Sequence, residues 1–369
     1  MRLTVYKIYF LLFFILLLGC SKKPLTKLSL SVHQVATAPE PVTNNAVSAA
    51  FIKGIPYIFS FGGLDSTKLY SGINQRNYRY NVKNNTWLQL PNLPDTLGKI
   101  ASAATLIKDT IYIMGGYHVF KDGTEVSSNK VHRYAIKSNR FLTDGTPIPI
   151  PIDDHVQTVW RDSLIYIITG WSQKENIPNV QIYNPFKNSW QVGTSVPNNY
   201  KFKVFGANGI ISKDTIYYFG GAAMGEFFPI QLRLRKGVIN PKQPTNIIWS
   251  SIELDSTFSS YRMAATIVKN SPHFIGGSTS SYNYNGIAYD KNKISIPNNA
   301  DFYYINGKLK KAYNKLLPMD LRGIASINDT VQYIYGGMKE NNKVSNSILK
   351  LAWYKNFINE SSNNKRVKN

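Results

Sequence analysis

A short apolar strand that ends in glycine recurs six times along this chain, and no other feature restricts its fold so tightly. The copies occupy residues 57–63, 111–116, 165–170, 216–221, 273–277 and 333–337. The last glycine of each copy follows its predecessor by 53, 54, 51, 56 and 60 residues. One repeat cannot bury its own apolar face; a row of them stacked together can. A repeat of this length built on strands predicts six small sheets packed in sequence.

The surroundings recur as well. A run of small residues precedes each apolar strand, as in Ala101-Ser102-Ala103-Ala104 and Ala264-Ala265-Thr266. Small side chains suit an innermost strand, where sheets crowd round an axis. A tight polar turn follows: Lys108-Asp109, Arg161-Asp162, Lys213-Asp214, Lys269-Asn270 or Asn328-Asp329. Such turns close hairpins. The glycines let the chain leave the strand with positive φ. A tyrosine then precedes a Trp or Phe by seven residues: Tyr80 and Trp87, Tyr134 and Phe141, Tyr183 and Trp190. These rings are large enough to fill the space between neighbouring sheets.

Together these residues resemble the kelch repeat, with its double glycine, its spaced Tyr and Trp, and its four strands per blade. The resemblance covers residues 44–354 and implies an all-β fold, a six-bladed kelch-type β-propeller. Three departures stand out. Thr169 replaces the first glycine of blade three. Blade four reaches Trp249 through an apparent insertion at 234–247, and blade five has no Trp but a long segment at 278–300. No fourth strand follows the last third strand, expected at 348–354, whereas Leu28-Ser29-Leu30-Ser31-Val32 alternates as a strand should. The last blade is therefore expected to be closed by the N-terminal strand, which removes open sheet edges.

The domain boundaries follow: a signal peptide at 1–19, a lipidated tether at 20–27, the propeller at 28–355 and a polar tail at 356–369. Arg2 and Lys7 flank an apolar run at residues 8–18, too short for a membrane span. It ends in Leu17-Leu18-Gly19-Cys20, which looks like a bacterial lipobox. Cys20 is the only cysteine, so no internal disulfide is available. The resemblance implies acylation of Cys20, an anchor in the bacterial cell envelope (the outer membrane first) and a propeller held near its membrane. The chain carries 43 Lys and Arg against 21 Asp and Glu, a formal charge of +22. The cations form no stripe interleaved with aromatics, and an exported protein seldom meets nucleic acid. An anionic partner of another kind is the better expectation.

In kelch propellers the loops entering the inner strands and those after the glycines share one face. The entering positions are read as Asn45, Lys99, His155, Lys203, Arg262 and Arg322. The loops after the glycines add Asp65, His118, Trp171, Glu226 and Glu340. Lys99, Lys203, Arg262 and Arg322 are expected to form a basic funnel for an anionic ligand, with Trp171 stacking on a sugar ring. The expected ligand is an anionic carbohydrate or a partner protein. The alternative is a sialic-acid mutarotase, because exported six-bladed kelch propellers include the N-acetylneuraminate epimerases. Glu226 or His155 would then supply acid–base chemistry. Adjacent strand residues face opposite ways, so Asp154 and His155 are not expected to act together. No metal-ligand spacing, phosphate loop or cofactor motif is present in the sequence. Galactose oxidases, which also contain kelch repeats, need a cysteine cross-linked to tyrosine; the single cysteine outside the repeats excludes that chemistry.

Overall fold

A computed structural model describes residues 26–290, 294–313 and 316–357. Cys20, the leader at 1–19 and residues 358–369 of the tail lie outside the described residues. Residues 31–352 form one compact unit, the propeller. The flanking residues form a second, small unit, in which Asn356 Nδ2 donates to Ser29 Oγ at 2.9 Å.

Six antiparallel blade sheets follow one another as expected, five of four strands and one, blade two, of five; among the described residues a two-stranded ribbon, Trp171–Ser172 with Glu175–Asn176, adds to blade three. Blade one is Ala46–Ile52, Ile55–Leu64, Ile73–Asn81 and Thr86–Leu90, in that spatial order. Blades two to five repeat the order. Blade six is completed from the N-terminus, with spatial order Thr26–Thr37, Ser347–Phe357, Val331–Tyr335, Ala325–Ser326. Within the propeller this closure is held by Ala38 N donating to Asn346 O (2.7 Å), Ser31 Oγ to Ala352 O (3.3 Å) and Ser347 Oγ to Gln34 Oε1 (3.0 Å). Both strands are longer than the alternation at 28–32 and 348–354 predicts.

The aromatic pairs lie directly opposite one another in their sheets: Tyr80 on Trp87, Tyr134 on Phe141, Tyr183 on Trp190. Their centroids are 4.8, 5.2 and 4.9 Å apart. The turn between each pair carries a left-handed Asn: Asn85, Asn139 and Asn188. Each Asn also accepts the hydroxyl of the preceding Tyr. Asn tolerates positive φ and offers a side-chain acceptor, which explains its recurrence there. The cores lie between blades. Phe59 and Phe61 of blade one pack with Ile111, Ile113 and Tyr134 of blade two. Val47, Ile58 and Tyr80 pack with Tyr333, Tyr335 and Ile348, so the closing interface is filled like the others.

Two expectations change. The segment at 234–247 is no insertion: it belongs to a long hairpin of Arg233–Asn240 and Gln243–Glu253, in which Gly237 takes the tyrosine position opposite Trp249. The glycines do not end every strand either. Ile55–Leu64 runs through its pair with a bulge, and Thr110–Val119 runs on to pair with an added strand, Glu125–Ser127.

Candidate functional site

One residue in each blade, before the inner strand or, for Ala101, at its start, adopts the left-handed region: Asn44, Ala101, Asp154, Gly206, Arg262 and Asp320. For non-glycine residues this costs about 1–2 kcal/mol each. The return is a closed ring of hydrogen bonds across the blade boundaries. Ala101 N donates to Asn44 Oδ1 (2.9 Å). Asp154 N donates to Ala101 O (3.3 Å), Gly206 N to Asp154 O (2.9 Å) and Arg262 N to Gly206 O (2.7 Å). Leu321 N donates to Arg262 O (2.9 Å), and Asn44 N to Asp320 O (3.1 Å). Amides that would otherwise be buried unpaired are thereby satisfied. At Gly206 a Cβ would lie 2.2 Å from the Tyr261 ring. Gly206→Ala is expected to cost about 2–3 kcal/mol through overpacking alone, read as a fall in the urea midpoint with unchanged slope.

The ring turns four charged or amide side chains toward one another. Arg262, 1% exposed, donates through Nε and Nη2 to Asp154 (Nη2–Oδ2 2.5 Å) and through Nη1 to Asp320 (3.1 Å). Thr43 Oγ1 (2.8 Å) and Asn44 Nδ2 (3.2 Å) also donate to Asp320. Arg322 approaches Asp154 at 3.3 Å and donates to His155 O at 2.8 Å. Burial opposes ionisation of Asp154, yet Arg262 and Arg322 hold its carboxyl below the usual range. The two arginines were expected to wait for an anionic ligand; instead they are committed to carboxylates of their own chain.

Above this network lies a cavity of about 190 Å³, formed by blades two to five. Its aromatic wall is Trp171, Phe205, Phe228 and Tyr289, packed edge-on or tilted. Trp171–Phe205 is 5.4 Å, Phe205–Phe228 5.5 Å and Phe228–Tyr289 4.7 Å between centroids. Its polar lining is Glu125, Asp153, Asp154, Arg262 and Asn283, with Tyr117 beside them. Asp153 and Trp171 exchange both backbone hydrogen bonds (2.9 Å each), so the carboxyl and the indole are locked side by side. Ser127 Oγ donates to Asp153 Oδ2 at 2.6 Å. Burial, then the neighbouring Asp154 carboxylate, push the Asp153 carboxyl well above its usual range. Burial pushes the Glu125 carboxyl up as well, with Arg262 opposing.

The other residues expected at the mouth lie elsewhere. Lys99 is buried beside Asp95 (3.4 Å), which also receives His132 Nε2 (3.2 Å); burial pushes the Lys99 ammonium down to about 8. Lys203 is partly exposed, with Glu175 at 3.9 Å. Neither lysine lines the cavity. His155 is buried with Nε2 on Gln157 Oε1 (3.1 Å), and burial followed by Arg322 pushes it down to about 3. The imidazole is buried and does not line the cavity. Glu226 is exposed on the loop after blade four's glycines and does not line the cavity. Asn45 donates to Ser60 Oγ inside blade one, and His118 is held on Gly98 O. The expected basic funnel is thus replaced by a cavity whose single lining cation, Arg262, is neutralised.

The residues missed by sequence reasoning are Asp153, Glu125, Asn283 and Tyr289. Asn283 and Tyr289 come from the long segment of blade five, whose length was visible. Glu125 comes from the added strand of blade two, which no pattern announced. Asp153 directly precedes the ring residue Asp154, and the sequence reading places His155, one residue beyond that ring position, at the mouth instead.

No family model matches the chain. The kelch-like protein terF of Aspergillus terreus (strain NIH 2624 / FGSC A1156) is 28% identical over 160 residues, 42% of this chain. The match spans about a third of that protein's length, 34%. The solved structure described as "Structure of YjhT" superposes with a TM-score of 0.68 at 17% identity, covering 86% of this chain and 99% of that one. The second likeness concerns the fold alone. Six glycine-marked sheets, a partial sequence likeness to a kelch-like protein and a likeness in fold to a solved structure agree, and the chain is a kelch-repeat β-propeller.

Proposed function

We propose that this propeller is a sugar-binding module whose cavity seats one neutral sugar ring against Trp171 and Tyr289. The observation that carries the reading is the pairing of an aromatic wall with a buried carboxyl, Asp153, in one cavity. Sugar rings present apolar C–H faces and hydroxyl edges. Aromatic rings take the first; Asp153, Asn283 and Glu125 take the second. The cavity, about 190 Å³, is smaller than the roughly 300–1,000 Å³ of drug-sized sites, which favours one ring over a large ligand. Because Arg262 and Arg322 are already paired, an acidic sugar would have to displace Asp154 and leave that carboxylate buried alone. The anionic preference expected from net charge is therefore withdrawn in favour of a neutral ligand. We further propose that the module works at the cell envelope, anchored through Cys20.

Calorimetric titration with a panel of neutral and acidic monosaccharides tests this. Trp171→Ala is expected to weaken neutral-sugar binding about tenfold or more, the worth of one buried aromatic contact. Binding confined to acidic sugars, or affinity indifferent to Trp171, would refute it.

A second reading, mutarotation of a sugar, is favoured by the same Asp153 carboxyl. Anomer exchange needs a group that gives and takes a proton, and Asp153 stands in the cavity where Glu226 does not. Exchange NMR of N-acetylneuraminate and of neutral aldoses, comparing wild type with Asp153→Asn, checks it. No acceleration by wild type ends that reading.

A further inference from the structure

A second depression, about 450 Å³, is lined in part by chain neighbours of residues that line the cavity. Three pairs of near neighbours in the chain divide between the two spaces. Phe228 faces the cavity and Phe227 the cleft; Asn283 faces the cavity and Ser281 the cleft; Tyr289 faces the cavity and Asp290 the cleft. The partition is a single layer of backbone. It is tied by Ser281 Oγ, which donates to Phe228 O (2.7 Å) and Phe227 O (3.1 Å), and by Tyr289 N, which donates to Ser281 O (3.3 Å).

The partition is strained where the two spaces meet. Phe227 and Phe228 both adopt positive φ, 59° and 49°. Two successive bulky residues in that region are unfavourable and persist only where the surroundings impose them. The strain aims one ring inward, onto Trp171 and Tyr289, and leaves the other 42% exposed along the cleft. The cleft combines Phe227, Ile230 and Leu232 with the hydroxyls of Ser256, Ser259 and Thr279. This is again the amphipathic mixture suited to a sugar: apolar surface for C–H faces and small donors and acceptors for hydroxyls.

We propose that the cleft is a second sugar subsite, so that the ligand is an oligosaccharide whose end unit enters the cavity and whose next unit crosses the Phe227–Phe228 partition. The inference rests on the sugar-binding reading of the cavity. Its test is calorimetry with the full chain on two neutral series, cello-oligosaccharides and β-1,4-linked N-acetylglucosamine oligomers, each from one to four units. For the series that binds, affinity should rise about tenfold from one unit to two. Phe227→Ala should abolish that gain while leaving single-unit affinity within a factor of two, and its melting curve verifies folding. A Thr279→Val variant should reduce the gain about threefold without touching the partition. Single-unit binding that depends on Trp171 but shows no gain with length would overturn the second subsite alone. A gain that survives both variants would do the same. No binding of any member, with binding of acidic sugars instead, would overturn the cavity reading and the subsite together.

Discussion

Arg262→Ala is expected to lower the unfolding free energy by about 3–5 kcal/mol, the usual consequence of removing one partner from a buried ion pair. The cost arises because Asp154 and Asp320 are buried and keep only Arg322, Thr43, Asn44 and Tyr282 for compensation. Against the roughly 5–15 kcal/mol typical of a domain, this is enough to depopulate the native state at elevated temperature. Asp154→Asn should cost a similar amount, since both arginines lose their shared counter-charge. Urea unfolding followed by tryptophan fluorescence measures both. Had Arg262 been a ligand clamp on an otherwise finished scaffold, the variant would fold normally and lose only affinity; the two outcomes are readily separated. The arrangement also explains a choice that propensity alone disfavours. An arginine at positive φ is costly, but there its backbone joins the ring and its side chain reaches carboxylates from blades three and six.

A second large effect is expected from pH. His155 is buried and neutral, held down to about 3 by burial and then by Arg322. In the unfolded chain it titrates near 6.5. Below 6.5 the unfolded state takes up a proton that the folded state refuses until about 3. Stability from this site is therefore complete above pH 6.5 and falls as pH falls between those values, at up to about 1.4 kcal/mol per pH unit. Asp153 acts in the opposite sense. Its raised pKa favours the protonated folded form, so its contribution is lost as pH rises above the ordinary carboxylate range. The two are separated by comparing variants. In His155→Asn the acid-side loss should shrink, and in Asp153→Asn stability near neutral pH should rise. Parallel stability–pH curves for wild type and His155→Asn between pH 4 and 7 would contradict the assignment of a buried neutral imidazole.

The architecture was legible because it is written in local signals that repeat. Glycine-ended strands, polar turns and the Tyr–Trp spacing each report a short-range constraint, and six copies make the period unmistakable. Closure by the first strand was legible for the same reason, since 28–32 alternates while the sequence offers no fourth strand for the last blade after its third. The site was less legible. Its ring depends on backbone φ, and Asn44, Ala101, Asp154, Gly206, Arg262 and Asp320 share no residue type. The entering positions therefore slip by different amounts in different blades, which exchanges Asp154 for His155 and Asp320 for Arg322 while Arg262 keeps its place. Charge misled further. The large excess of Lys and Arg says nothing about where the few carboxylates go, and Asp154 and Asp320 are placed where they neutralise Arg262 and Arg322. Side chains that reach the cavity from irregular segments, such as Asn283 and Tyr289, leave no periodic trace at all.

The most direct test is a crystal structure of the protein with the neutral glycan that binds it best. The account predicts a sugar ring lying against Trp171 and Tyr289, a hydroxyl on the Asp153 carboxyl, and Arg262 still bound to Asp154 and Asp320. A ligand carboxylate seated on Arg262 in place of Asp154, or a glycan bound away from blades two to five, would contradict it.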